Sequence, residues 1–186
     1  MRQQSLRLFL TLFCAVLSIA ADAQNKIHRE RGSRFIVSIG QEAPRFSFVT
    51  SDNDTLDSDL LRGQVLVIDF AASWCPFSPS QLADHQKQLW DKFSRNPNFS
   101  MFVFCEDHPQ DRAAFSEIIS TEKIQAPVVF DDAEAFYQLF VTPNGSVTRT
   151  VIIAPDWTIA NLQDGHTRRG MRQIRKTVRH LLKRAN

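Results

Sequence analysis

The sequence predicts an α/β fold in which a central mixed β-sheet is covered by helices on both faces. The first indication is a pair of apolar runs, Val65–Ile68 and Phe99–Phe104, which are typical of strands buried on both faces. The second is the stretch between these runs, whose large apolar residues recur on one side as in an amphipathic helix. The third is the end of the chain, where a hairpin and a closing helix follow. A length of 186 residues suits one such domain.

The elements follow from apolar periodicity and from clusters of turn residues. In chain order we expect a strand at Phe46–Val49, a turn at Ser51–Asp54, a strand at Val65–Ile68, a helix after Pro76, a strand at Phe99–Phe104, a helix at Asp111–Ser120, a strand at Val128–Phe130, a short helix at Ala133–Phe140, strands at Val147–Ile153 and Thr158–Leu162, and a helix from about Met171. The outer face of this last helix is basic, which is most simply a solvated surface.

The first 23 residues have the pattern of a cleavable secretory signal peptide. Arg2 and Arg7 precede an apolar run over Leu8–Ala20, and Ala21-Asp22-Ala23 supplies the small residues of a cleavage site. The run is shorter than the roughly 20 residues of a membrane span, so we expect cleavage before Gln24 and no stable membrane span afterwards. The protein is therefore predicted to be periplasmic or secreted. Lipid attachment at Cys14 is less favoured, because Phe13 stands where a small residue is needed.

The rest of the chain divides into a polar, basic leader at residues 24–37 and one domain at residues 38–186. A formal net charge of +2 is too small to indicate nucleic acid as a partner. The five histidines show no metal-ligand spacing, so neither a metal nor a cofactor is predicted. Removal of the signal peptide leaves two cysteines, Cys75 and Cys105, in an oxidising compartment, where a structural disulfide between them is one alternative.

The candidate active site is the loop that follows the first buried strand. In sheets of this kind, sites lie beyond the carboxyl ends of the strands, and this loop carries Cys75 between a strand and a helix. Pro76 suits the first turn of that helix, whose free N–H groups would favour the thiolate. The alternative is a cysteine that acts only as a small buried apolar residue.

The segment from Asp69 to Ser78, which reads D-F-A-A-S-W-C-P-F-S, closely resembles the active-site segment of thioredoxins. The Gly40–Phe46 stretch is similar to the opening of exported thioredoxins of the TlpA and ResA type and of redoxins of the peroxiredoxin-like AhpC/TSA group. Leu61–Val65 fits the same group. The likeness spans residues 40 to about 162 and implies a thioredoxin-like fold.

The resemblance implies thiol chemistry at Cys75, supported by Trp74 and Pro76, with one departure. Ser78 replaces the second cysteine of the thioredoxin C-x-x-C motif, and a serine can hydrogen-bond a thiolate but cannot exchange disulfides. A monothiol disulfide oxidoreductase would then act on exported thiol or disulfide proteins, or on small thiols, and need an external reductant. A one-cysteine peroxidase and an inactive binding module remain alternatives.

Four further positions are candidates on the same resemblance. Asp69 matches a buried carboxylate of thioredoxins that aids proton transfer, with a polar strand-end residue as the alternative. Cys105 ends the second buried strand and would be a resolving partner or a buried thiol. Thr148 stands where thioredoxins place a substrate-cradling cis-proline, and Arg149 is similar to the arginine that peroxiredoxins aim at their reactive thiolate. The peroxiredoxin signature P-x-x-x-T-x-x-C is nevertheless absent.

Overall fold

A five-stranded mixed sheet forms the centre of the structure, a computed structural model that describes residues 35–50, 55–131, 135–142 and 147–185. The strands are β1 (Ser47–Val49), β2 (Thr55–Asp57), β3 (Val65–Ala71), β4 (Phe99–Cys105), β5 (Val128–Phe130), β6 (Arg149–Ile153) and β7 (Ile159–Asp164). β1 and β2 form a separate antiparallel pair, and the other five strands run in the order β5-β4-β3-β6-β7.

The central strand is β3, the strand that leads to the candidate site. It pairs in parallel with β4 and antiparallel with β6, and all seven of its residues are buried. Burial on both faces explains its continuous apolar sequence. The predicted α/β class with a mixed central sheet is thereby confirmed.

Helices and short helical turns connect the strands. The helices are α1 (Ser78–His85), α2 (Asp91–Phe93), α3 (Arg112–Thr121) and α4 (Arg168–Ala185); a π-helical turn spans Gln86–Trp90, and 3-10 turns span Ser58–Leu61, Pro109–Asp111 and Tyr137–Leu139. The predicted short helix at Ala133–Phe140 appears as the last of these turns, with residues 132–134 outside the described part. α4 begins at Arg168, three residues before the predicted start.

Two apolar layers sandwich the sheet. On one face, α1, α3 and α4 contribute Leu82, Phe115 and Ile174 to a common core. Right-handed crossovers from β3 to β4 and from β4 to β5 place α1 and α3 on the same side of the sheet. The sequence predicted helices on both faces; among the described residues, the helical cover of the other face consists of 3-10 turns, among them Tyr137–Leu139. The other face is an aromatic layer in which the Phe104 and Phe136 rings stack with centroids 3.8 Å apart. The β1–β2 pair and the Tyr137–Leu139 turn cover that layer.

The folded domain begins earlier than residue 38. Phe35 and Val37 are buried in the aromatic layer, and the Ile36 amide donates a 2.9 Å hydrogen bond to the Phe140 carbonyl. Residues 35–37, the end of the predicted leader, therefore belong to the folded domain. The predicted signal peptide, the rest of the leader and the predicted turn at residues 51–54 lie outside the described residues. Within the described ranges, no helix combines the length and apolar character needed to cross a membrane.

Candidate active site

The loop between β3 and α1 closes on itself through three hydrogen bonds. The Cys75 amide donates to the Ala72 carbonyl at 3.3 Å, and the Ser78 amide donates to the Cys75 carbonyl at 3.1 Å. The third bond runs back, from the Ala72 amide to the Ser78 hydroxyl oxygen at 3.1 Å. Ser78 is fully buried, so its hydroxyl satisfies an amide at the end of β3. The hydrogen bond that the described residues show for this hydroxyl comes from the backbone, and its predicted bond to the Cys75 thiolate stays a prediction.

α1 begins three residues after Cys75, which differs from the predicted placement. Pro76 lies before the helix, and Pro79 occupies its first turn instead. A proline suits that position because it has no N–H to leave unpaired. The Ser78 amide is already taken by the Cys75 carbonyl. The free N–H groups that were expected to favour a thiolate therefore lie further along the chain from Cys75 than the sequence indicated.

Cys75 lies just beneath the surface in a small apolar cluster with Ala72 and Val147, and 7% of it is exposed. The neighbouring Trp74 and Phe77 are 61% and 60% exposed. Two large apolar side chains this exposed in one short loop indicate a contact surface for a partner. Val147 was not identified as a site residue from the sequence; the signal that could have marked it is its position directly before Thr148.

Thr148 adopts a left-handed backbone conformation, with φ of +66°. Its amide donates to the Phe70 carbonyl at 3.1 Å, and its carbonyl accepts from the Gly165 amide at 2.9 Å. A non-glycine residue in this region is strained, and such strain is often found at functional sites. Both backbone groups of Thr148 are engaged within the domain, and the substrate cradle at this residue stays a prediction.

Arg149 is buried and held within the protein. Its guanidinium lies 3.2 Å from the Asp164 carboxylate and stacks over the Phe35 ring at 5.0 Å. Its register partner is Phe70, so the side chain lies on the aromatic face of the sheet. These contacts give Arg149 a structural role, because they tie β6, β7 and the start of the domain together.

A second loop braces the candidate site. After β4, the Glu106 amide donates to the Ala71 carbonyl at 3.0 Å. The Asp107 carboxylate accepts a 2.8 Å hydrogen bond from the Ser73 amide, and Asp107 itself is buried. The sequence analysis missed this contact, because it joins residues 34 positions apart.

Asp69 lies completely buried beneath α1. One carboxylate oxygen is 2.6 Å from Nδ1 of His85, and the other accepts hydrogen bonds from the side chains of Gln81 and Thr150. Polar side chains from two elements, α1 and β6, contact both oxygens of this buried carboxyl group. Asp69 therefore anchors α1 to the sheet, and His85, which the sequence analysis left without a role, is its main partner.

Cys105 is a fully buried free thiol in the core between sheet and helices. Burial raises its pKa to about 12, and the nearby carboxylates of Asp107 and Glu106 add to the effect. Cys75 is also a free thiol, in a different apolar cluster. The structure therefore contains no bridge between these two cysteines. Among the described residues, no group of three or more His, Cys, Asp or Glu side chains is placed to hold a metal ion.

The family and fold of the chain are shown by comparison. Residues 39–162 match the model of the AhpC/TSA family, and the chain belongs to that family. It is similar to a candidate protein disulfide isomerase from Bacteroides thetaiotaomicron, with a TM-score of 0.76 and 22% identity over 81% of this chain and 94% of that one.

Two further structures share the thioredoxin-like fold. One is a thiol:disulfide interchange protein of the thioredoxin family from Chlorobium tepidum, with a TM-score of 0.61 and 18% identity over 78% of this chain and 99% of that one. The other is a secreted disulfide oxidoreductase from Mycobacterium tuberculosis, with a TM-score of 0.57 and 16% identity over 73% and 96%. The comparison with curated proteins gives no match.

Proposed function

We propose that this protein is an exported thiol-disulfide oxidoreductase that acts through Cys75 and has no internal resolving thiol. The observation that carries the proposal is the loop itself. It carries one near-surface thiol, and the aromatic side chains of Trp74 and Phe77 in the same loop are exposed. The position of the usual second cysteine holds Ser78, whose hydroxyl is bonded to the backbone.

The chemistry is a thiol-disulfide exchange in two steps. The Cys75 thiolate attacks one sulfur of a substrate disulfide, so a mixed disulfide forms and the other substrate sulfur leaves as a thiolate that takes up a proton. An external thiol then attacks the mixed disulfide and releases the Cys75 thiolate. The external thiol is required because Ser78 cannot act as the second nucleophile.

Cys105 does not replace the missing nucleophile. Its thiol is buried, and a pKa of about 12 keeps it protonated at neutral pH, whereas the thiolate is the attacking species. The mixed disulfide on Cys75 should therefore be long-lived. Partners would be exported thiol or disulfide proteins, or small thiols, in the compartment to which the predicted signal peptide directs the chain.

The peroxidase alternative is less well supported by the geometry. Its cationic group would be Arg149, and the guanidinium of that residue is paired with Asp164 on the aromatic face of the sheet. The binding-module alternative predicts a Cys75 thiol that does not react at all. Both alternatives are distinguishable by experiment.

Intact mass spectrometry after exposure to oxidised glutathione tests the proposal. Wild type and Cys105→Ser should each gain one glutathione, and Cys75→Ser should gain none. An internal disulfide in wild type, seen as the loss of two hydrogens, would refute the monothiol mechanism. Sustained reduction of hydrogen peroxide with an added thiol would favour the peroxidase, and an unmodified wild type would favour the binding module.

A further inference from the structure

The charges of this domain are strongly separated between the last helix and the remainder. α4 carries eight Lys or Arg residues and no Asp or Glu, whereas residues 35–167 carry eight Lys or Arg and 18 Asp or Glu. The cations of α4 are Arg168, Arg169, Arg172, Arg175, Lys176, Arg179, Lys183 and Arg184. The small net charge of the whole chain conceals this separation.

The cations of α4 have no carboxylate in direct contact. In the part of the chain that the structure describes, none of the eight forms a salt bridge with a carboxylate. Arg175 donates instead to the neutral side chain of Gln88, at 3.2 Å. Like charges one helical turn apart repel each other, so an anion bound along this face would relieve that repulsion.

Three of these cations line one open groove between α4 and the edge strand β7. The groove has a volume of about 670 Å³, and its polar lining consists of Arg169, Arg172, Gln173, Lys176, Thr177 and His180. Ala160 of β7 and Leu181 of α4 provide an apolar floor. Helical spacing explains the arrangement, because residues three and four apart lie on the same side of a helix.

The groove starts at the edge of the sheet where Cys75 lies. In the register of the sheet, Asp164 at the end of β7 lies opposite Arg149 of β6, and Arg149 lies opposite Phe70 near the end of β3. The end of β7 is therefore at the same edge as the loop that follows β3. α4 then runs to the opposite edge, where its last described residue, Ala185, accepts a hydrogen bond from Asn98 just before β4. A chain bound in the groove would therefore extend from the active-site edge along one side of the domain.

The lining of the groove and the burial of the apolar face of α4 disfavour two classes of anionic ligand, single-stranded nucleic acid and membrane surfaces. Its lining contains no Phe, Tyr or Trp on which bases could stack, which argues against single-stranded nucleic acid. The apolar face of α4, including Ile174 and Val178, is buried against the sheet and is not available for insertion into a bilayer. A flat headgroup surface would also contact exposed cations outside the groove, such as Arg179, as readily as those inside it.

We propose that the groove between α4 and β7 binds an extended, Asp- and Glu-rich segment of a protein partner. Alternate side chains of an extended peptide are spaced by about 6.8 Å, and successive turns of α4 by roughly 5.4 Å. The long Arg and Lys side chains can span this difference, so successive carboxylates can each reach a cation. The floor at Ala160 and Leu181 contacts the aliphatic parts of the same segment. This binding is independent of the chemistry at Cys75.

Fluorescence anisotropy with a labelled, cysteine-free peptide of alternating Glu and Ala tests the proposal. The groove variant is Arg169→Gln/Arg172→Gln/Lys176→Gln. The matched control is Arg168→Gln/Arg179→Gln/Lys183→Gln, which removes the same charge from exposed positions of the same helix outside the groove. We expect the groove variant to lose about tenfold or more in affinity and the control about twofold, with salt weakening wild-type binding.

Two further ligands complete the experiment, and circular dichroism confirms that both variants fold. Vesicles containing phosphatidylglycerol and a labelled thymidine oligonucleotide are titrated under the same conditions. Weaker binding of both than of the peptide supports the proposal. Equal losses in the two variants, no binding of the peptide to wild type, or tighter binding of vesicles or oligonucleotide would each overturn it.

Discussion

The amide of Ala72 donates a 3.1 Å hydrogen bond to the hydroxyl oxygen of Ser78, across the loop that carries Cys75. Both residues are fully buried, so no water is needed to satisfy the amide. The serine therefore has a structural function of its own: it holds the end of β3 against the start of α1. A serine at this position offers no thiol nucleophile, and its hydroxyl keeps the loop well formed.

Ser78→Ala should destabilise the protein without adding any reactive group. The substitution leaves the Ala72 amide buried without a partner, which costs about 1–3 kcal/mol. Urea denaturation measures the free energy of unfolding. Ser80→Ala is the control, because Ser80 is exposed on the same helix and its hydroxyl bonds only to the Phe77 carbonyl. Equal losses in the two variants would show that the Ala72 contact does not contribute.

Ser78→Cys should convert the site into one that resolves its own mixed disulfides. The Ser78 amide bonds to the Cys75 carbonyl, and a turn closed in this way holds its end Cα atoms within about 7 Å, near the range a disulfide allows. A glutathione adduct on Cys75 should then be lost within minutes as an internal disulfide forms. A time course of intact mass follows this loss, with Ser80→Cys as the control that adds an exposed thiol. Persistence of the adduct in Ser78→Cys would contradict the proposed reason for its long life.

Cys105 should resist alkylation in the folded protein. With a pKa of about 12, its thiol is protonated at pH 8, and iodoacetamide should modify it about 100-fold more slowly than Cys75. Peptide mapping after native and denaturing labelling separates the two sites. Comparable rates at both cysteines would show that the Cys105 thiol is accessible and ionised.

The same thiol should make stability depend on alkaline pH. Its pKa is 9.0 ordinarily and about 12 when folded, so above pH 9 the unfolded chain loses a proton that the folded chain retains. The contribution of Cys105 to stability is therefore complete below pH 9 and falls as the pH rises towards 12. The difference in unfolding free energy between wild type and Cys105→Ala, measured from pH 8 to 11, isolates this contribution.

The sequence predicted the sheet better than the site, for a physical reason. The apolar runs that begin at Val65 and Phe99 are continuous because both strands are buried on both faces. A continuous apolar run of this length predicts a strand inside the sheet. The start of α1 was misplaced, because either Pro76 or Pro79 could occupy a first helical turn. The contacts of Val147 with Cys75 and of Asp107 with Ser73 join distant parts of the chain and leave no local pattern.

Asp69→Asn should destabilise the protein far more than a comparable change at the surface. Asp69 and His85 are both buried, and an amide in place of the carboxyl group leaves buried polar partners unsatisfied, at a cost of about 1–3 kcal/mol for each. The control is Asp84→Asn, which alters a second Asp–His pair, with His166 at 3.0 Å, in a partly exposed position. That loss should stay below about 1 kcal/mol.

A double-mutant cycle tests the Asp69–His85 pair itself. If the two side chains act together, Asp69→Asn/His85→Gln should cost less than the sum of the single substitutions, by about 0.5–3 kcal/mol. Additive losses would show that Asp69 is held by Gln81 and Thr150 alone.

Trp74 and Phe77 should determine which disulfides Cys75 can attack. They are exposed and flank Cys75 in the sequence, and Cys75 itself is 7% exposed, so we expect a protein substrate that reaches the sulfur to contact the rings. Buried aromatic contacts often dominate binding energy, and Trp74→Ala/Phe77→Ala should slow mixed-disulfide formation with a peptide disulfide by about tenfold. The rate with hydroxyethyl disulfide, which is too small to cover the rings, should change by about twofold at most.

Leu60→Ala is the control, because Leu60 is 66% exposed but precedes β3 at the other end of the strand. Equal slowing with both disulfides would mean that the rings affect the thiol itself, and no slowing with the peptide would mean that partners approach Cys75 from another side.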